Sequence, residues 1–437
     1  MTTVGTGGLR GLVRRWSIVS RLGELPGPMR LIVLGQLAFN TGFYLVLPFF
    51  AVHLSRDLGL SGAAVGLLLG LRTFSQQGLF AVGGALADRY GTKQVAVTGF
   101  VVRIVGFVVL AFADGLPMLV LGTVAVGFAA ALFSPAVEAE LARRADALSR
   151  RSARPGNSPL PRADVFAMFA VCGQIGVVVG PVLGAALLAV DFRVTTLTAA
   201  AVFVVVLVTF VVVMPREPGA HAADPVFAGW RDVARDRAFL AFAAAYSTWL
   251  LCYNQLYLLL PIELTRVGAE GALGAMFVLS AAMVILAQLP FAALARQAGP
   301  RRALPAGFAV LALAFASTAV LVVLPTPDGA WRVAPAVLFV VLLTLGEMTV
   351  VPLAQDAVGR LAGERRLGSY FGVLATAGGV VVLLGGTGLG ALVGPTIPPA
   401  VPWAVTAVLP AVSAVALAVL ARRVPALGAT HERTSAR

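Results

Sequence analysis

The chain repeats one pattern along its length: a run of about 20 apolar residues, long enough to cross the hydrocarbon of a bilayer, followed by a short loop that carries charge. Lipid offers no water to pair exposed peptide groups, so runs of this kind must be helices. The expected spans are 31–53, 63–87, 95–113, 116–137, 164–189 and 194–214. After a polar stretch come 238–260, 271–294, 303–324, 333–354, 368–393 and 402–421. Hydrophobic residues make up 59% of the sequence and charged residues 12%, more apolar surface than a soluble fold could cover. The expected fold class is therefore an all-α membrane protein of twelve transmembrane helices. Six spans, a hydrophilic break and six more point to two pseudo-symmetric bundles. The division is a tail at 1–30, an N-terminal six-helix bundle at 31–214, an inter-domain linker at 215–237, a C-terminal six-helix bundle at 238–421 and a tail at 422–437.

The net charge of +13 would suit a nucleic-acid partner if the basic residues were clustered on one soluble domain. They are instead distributed over loops between spans, so no nucleic-acid partner is expected. With a cytoplasmic N-terminus, 27 of the 33 Lys and Arg fall on the inner side and only Arg56, Arg193, Arg266 and Arg332 on the outer. That bias fits the positive-inside rule and an even number of crossings. A multi-pass protein of the inner membrane with both termini in the cytoplasm is expected. Arg14-Arg15-Trp16 could pass for a twin-arginine export signal, but the next apolar run is of full spanning length. Cys172 and Cys252 lie inside apolar runs, and the three histidines are scattered, so no disulfide, metal site or cofactor is expected.

Two loops six spans apart share a layout. One reads Gly84-Ala85-Leu86-Ala87-Asp88-Arg89-Tyr90-Gly91-Thr92-Lys93, the other Ala293-Leu294-Ala295-Arg296-Gln297-Ala298-Gly299-Pro300-Arg301. Apolar entry, charge, a glycine turn and a basic exit recur at equal spacing, as duplication requires, although the second copy has lost its acid. The first loop resembles the signature of the major facilitator superfamily, G-x-L-A-D-R-x-G-R-K, with Thr92 in place of one basic residue. Gly176-Val177-Val178-Val179-Gly180-Pro181-Val182-Leu183-Gly184-Ala185 is similar to the antiporter signature G-x-x-x-G-P-x-x-G-G of its drug:proton branch, with Ala185 for the last glycine. Residues 69–79, Asp191-Phe192-Arg193 and Gly368-Ser369-Tyr370-Phe371-Gly372 resemble stretches of MdtH-type multidrug exporters, and the likeness runs from about residue 29 to 421. The basic, Pro-rich stretch around 143–162 is longer than the loop usual in that subgroup.

Gly91 suits a tight turn between closely spaced helices. Asp88, near the start of the third span, suits a helix N-terminus, and the resemblance implies that it holds the cytoplasmic side shut. Arg89 and Lys93 are placed to meet acids or lipid phosphates; a loop that merely sets topology is the plainer alternative. Gly176, Gly180 and Gly184 repeat every four residues, so they form one ridge that admits a neighbouring helix closely, and Pro181 weakens the local ladder. A hinge or seal between domains is one reading of that ridge, and ordinary packing the other. Gly386, Gly390 and Gly394 repeat the pattern in the eleventh span.

A charge at mid-bilayer costs about 3 kcal/mol unless it faces protein or water, so Arg72, Arg103 and Glu347 stand out within the spans. Glu347 is the candidate proton-coupling group, since an acid enclosed at that depth can hold a proton at neutral pH; a fixed ion pair with an arginine is the alternative. Asp88 is a second coupling candidate, and Arg72 and Arg103 suit gating or structural roles. Gln36, Asn40 and Tyr44 form one polar stripe on the first span. Tyr246, Trp249, Tyr253, Asn254 and Tyr257 supply aromatic and polar groups on the seventh. In the superfamily the first, fourth, seventh and tenth helices face the central channel, so these residues and Glu347 are the expected cavity wall, suited to flat amphipathic ligands. For each of them, helix–helix hydrogen bonding or interfacial anchoring is the alternative.

The reading that follows is a secondary transporter, not an enzyme, which exports drug-like molecules by alternating access in exchange for protons. Its expected partners are the lipid bilayer, a small-molecule substrate and protons, and it is expected to act as a monomer. A proton symporter that imports a metabolite is the alternative. A membrane-embedded enzyme would need paired carboxylates or clustered histidines, and this chain offers neither.

Overall fold

The computed structural model describes residues 21–152, 162–215, 233–325, 329–362 and 367–424. Most of both tails, most of the inter-domain linker and the middle of the Pro-rich loop lie outside the described residues. Fourteen α-helices and no strand occur among the described residues: α1 (Gly27–Val52), α2 (Gly62–Gln77), α3 (Phe80–Tyr90), α4 (Thr92–Ala111), α5 (Leu116–Ser152), α6 (Arg162–Leu188), α7 (Phe192–Val213), α8 (Arg237–Asn254), α9 (Leu259–Arg266), α10 (Leu273–Ala298), α11 (Pro300–Leu321), α12 (Ala334–Ala362), α13 (Leu367–Ala391) and α14 (Ala400–Arg423). Ten of the described helices are long and apolar enough to cross a bilayer without a break.

The two remaining expected spans are interrupted. The second consists of α2 and α3, with a turn at Gly78, whose N–H bonds the Phe74 carbonyl. The seventh consists of α8 and α9. There the side-chain amides of Asn254 and Gln255 take the carbonyls of Leu250 and Leu251 at 2.7 and 2.9 Å. The backbone N–H groups of Gln255, Leu256 and Tyr257 then reach only three residues back, while that of Leu260 reaches five, to Gln255. Side chains that compete for carbonyls bend or break a helix, and Pro261 adds no donor of its own. Residues 254–260 are all buried, which keeps the irregular backbone out of lipid.

Packing divides the chain into two units, Met1–Val46 with Val82–Asp224, and Leu47–Ala81 with Pro225–Arg437. In the first, α4 lies tightly along α5. A Cβ on Gly99 would sit 3.1 Å from the Phe133 Cβ and 3.2 Å from that of Leu132, and one on Gly106 would sit 2.9 Å from a Val126 methyl. Phe39 anchors an aromatic core, its ring centroid 5.2 Å from Phe100, 5.1 Å from Phe133 and 6.0 Å from Phe203. Such geometry adds about 0.5–1.5 kcal/mol per pair beyond area burial.

The second unit repeats this seam. A Cβ on Gly307 of α11 would sit 2.7 Å from a Val350 methyl and 3.2 Å from the Thr349 Cβ of α12. Its tightest contact is a different one. Gly62, Gly66 and Gly70 of α2 lie against the backbone of α13, with the carbonyls of Gly390 and Gly386 where Cβ atoms on Gly62 and Gly66 would have to go. Hydrophobicity does not hold two helices together in lipid, so close approach and dispersion must do so. Gly66→Ala is accordingly expected to force α2 and α13 apart and to cost about 1–3 kcal/mol. Gly388→Ala, which meets open space, is the control. Thermal melts of the purified variants in detergent check this, and equal melting temperatures would refute it.

Candidate functional site

The glycine turn of the signature loop is present in both copies. Gly91 caps α4 with φ 90° and ψ 141°, and Gly299 caps α11 with φ 76° and ψ 151°; only glycine tolerates such positive φ at little cost. Asp88 lies in the last turn of α3, not at the start of the next helix, because the Gly91 turn intervenes; its side chain lies outside the described residues. Arg89 is exposed and lies over the Tyr90 ring at 5.4 Å. Among the described residues Lys93 forms no ion pair with an acid. Its ammonium donates to the Val211 carbonyl at 2.7 Å and to that of Met214, at the C-terminal end of α7, where a cation favours the helix dipole. The loop is also tied to α5, since Arg143 bonds both Thr92 and Glu140. Glu140 is buried and bonds Arg144 through its other oxygen at 2.5 Å.

The ridge of the antiporter-like segment packs α6 onto α1. Gly176 abuts Leu37, Asn40 and Thr41, Gly180 abuts Thr41 and Tyr44, and Gly184 and Pro181 are buried. The polar stripe of α1 faces that seam. Asn40 donates to the Gly173 carbonyl at 2.9 Å, and Gln36 lies within 3.2 Å of where a Gly173 Cβ would be. Gln36, Asn40 and Tyr44 thus take part in the packing of α1 on α6. Arg103 is 2% exposed, enclosed by the rings of Phe43, Phe107, Phe133 and Phe203 at 5.0–5.8 Å, and donates to the Val126 carbonyl at 2.7 Å. Arg72 bonds Gln76 and, at 3.5 Å, Thr73.

The second unit builds a cavity. Along α8 the rings of Phe242, Tyr246, Trp249 and Tyr253 stack in sequence with centroids 5.8–5.9 Å apart. Tyr257 continues the ladder and stacks on Phe277 at 5.6 Å. Tyr246 and Trp249 border a cavity of about 140 Å³, lined also by Gln77, Gln355, Phe371 and Gly378 among others. The buried Nε1–H of Trp249 has no acceptor among the described residues. Glu347, on α12, is half-buried and makes neither ion pair nor hydrogen bond among the described residues. Asn254 accepts from the Thr73 hydroxyl at 2.9 Å, while its amide NH2 bonds the Leu250 carbonyl at the helix break.

The family model described as Major Facilitator Superfamily matches residues 32–386. The chain belongs to the major facilitator superfamily. It is thus a multi-pass membrane transporter, with the bilayer and a small-molecule substrate as partners. Within the superfamily it is 37% identical over 380 residues to an uncharacterised MFS-type transporter of Mycobacterium tuberculosis, covering 84% of this chain and 85% of that one. It is 28% identical over 333 residues to the multidrug resistance protein MdtH of Photorhabdus laumondii, covering 76% and 78%. Among solved structures, the peptide transporter POT in complex with sulfate superposes with a TM-score of 0.74 at 16% identity, covering 92% of this chain and 96% of that one. A mutant of the nucleoside transporter NupG gives 0.72 at 14%, covering 90% and 99%. These two likenesses concern the superfamily fold.

Several residues escaped the sequence reading. Glu347 is not the sole acid of the spans: α5 stays helical to Ser152, and its spanning stretch, Leu116–Leu148, contains Glu138 and Glu140. The Gly62/Gly66/Gly70 stripe was legible as a four-residue repeat. Gln255, fully buried with its Oε1 unpartnered, carried no periodic signal. The Thr73–Asn254 bond supports the helix break, so Thr73→Val and Asn254→Leu should each destabilise, with a coupling of about 0.5–1.5 kcal/mol in a double-mutant cycle. Additive losses in denaturation of the purified protein would show that the bond contributes nothing.

Proposed function

We propose that the protein is a proton-driven exporter of small amphipathic molecules, cations in particular, that works as a monomer by alternating access of two six-helix bundles, 31–214 and 238–421, with both termini in the cytoplasm. The observation that carries this reading is Glu347, an unpaired carboxylate in a spanning helix, α12, that packs against the ring-bearing helix α8. An acid already locked to an arginine could not exchange its proton at each cycle. An unpaired one can release it when a cation arrives and recover it from the other side of the membrane. The stacked rings of Tyr246 and Trp249 offer faces to a flat, positively charged ligand, and the Trp249 Nε1–H offers a donor for a ligand oxygen. The likeness to MdtH, a multidrug resistance protein, supports efflux.

Proteoliposomes with an acid interior are expected to accumulate tetraphenylphosphonium as protons leave. Glu347→Gln, which keeps the shape and removes the titration, is expected to reduce that uptake at least tenfold. Uptake that survives collapse of the pH gradient would remove proton coupling. Uptake that survives the substitution would move the coupling group elsewhere.

A further inference from the structure

The duplicated seams fix which residues of the two units correspond. Gly99 and Gly307 each lie eight residues beyond their capping glycine, Gly91 and Gly299. Gly99 rests on Leu132 and Phe133, and Gly307 on Thr349 and Val350. That register pairs α5 with α12 through their internal prolines, Pro135 and Pro352. Three residues beyond each proline stand Glu138 and Gln355, and eight beyond stand Arg143 and Arg360, both ion-paired within their own helix. Gln355 borders the cavity of the second unit. Glu138 occupies the corresponding place in the first.

Its surroundings are unusual for an acid. Glu138 lies in the spanning stretch Leu116–Leu148, directly after the buried Ala136 and Val137, yet its own side chain is exposed. Glu140, two residues on, is buried and spends both oxygens on Arg143 and Arg144. Glu138 makes no ion pair or hydrogen bond among the described residues. A carboxylate is unfavourable against acyl chains, so an unpaired and exposed one belongs where water or a cation meets it.

We infer that Glu138 is a second substrate-recognising carboxylate, which binds the positive group of a cationic substrate and so sets selectivity for cations over neutral molecules. The inference rests on the transport reading but not on proton coupling, since Glu347 retains that role. It is tested by equilibrium binding to the purified full chain in detergent, without any gradient, using tetraphenylphosphonium and the uncharged chloramphenicol as probes. Glu138→Gln is expected to weaken tetraphenylphosphonium binding about tenfold and chloramphenicol binding less than threefold, with Glu138→Asp restoring most of the loss. Glu138→Ala supplies the same comparison if the Gln variant does not fold. Unchanged tetraphenylphosphonium binding, or an equal loss for both probes, overturns the assignment. Should the gradient fail to drive uptake while binding still depends on Glu138, proton coupling falls and this assignment stands.

Discussion

Every peptide group in the apolar stretches must find its hydrogen bond within protein, because lipid supplies none. This makes the chain helical but does not hold the helices together, since acyl chains solvate leucine as well as another helix does. Cohesion has to come from proximity, and glycine supplies it. The α4–α5, α11–α12, α1–α6 and α2–α13 seams all place glycine where a Cβ would meet a neighbour. Polar groups then fasten positions that packing alone leaves loose, as Lys93 does on the end of α7 and Arg143 on Thr92.

The break between α8 and α9 follows from the same accounting. Two amides, on Asn254 and Gln255, take carbonyls that the backbone would otherwise use, and the main chain answers with bonds three and five residues long. The segment remains saturated enough to sit inside the bundle, and every side chain from 254 to 260 is buried. Here the ladder of aromatic rings passes from regular helix into irregular chain, so the ring positions on α8 are fixed by helix geometry while Tyr257 is fixed by its stack on Phe277.

The class of fold was legible because runs of about 20 apolar residues have only one use. The turns at Gly91 and Gly299 were legible because spacing repeated. Periodicity reveals a face but not its partner, which is why the stripe of Gln36, Asn40 and Tyr44 could be seen while its neighbour, the ridge of α6, could not. Breaks driven by side-chain amides leave no mark on hydropathy, so the second and seventh spans read as continuous. Glu138 was missed because the span was ended where charges begin. The ion pairs of Glu140 with Arg143 and Arg144 let the helix run on through them.

The aromatic enclosure of Arg103 has an electrical consequence. At the corresponding place in the duplicated helix, twelve residues beyond the capping glycine, stands Leu311. A charge that crosses the full thickness of an energised membrane experiences about 2.3 kcal/mol per 100 mV. Arg103 is clasped by four rings and a carbonyl, so it cannot slide alone, and whatever force the field exerts on it passes to its unit as a body. One repeat therefore holds a fixed positive charge at a depth where the other has leucine.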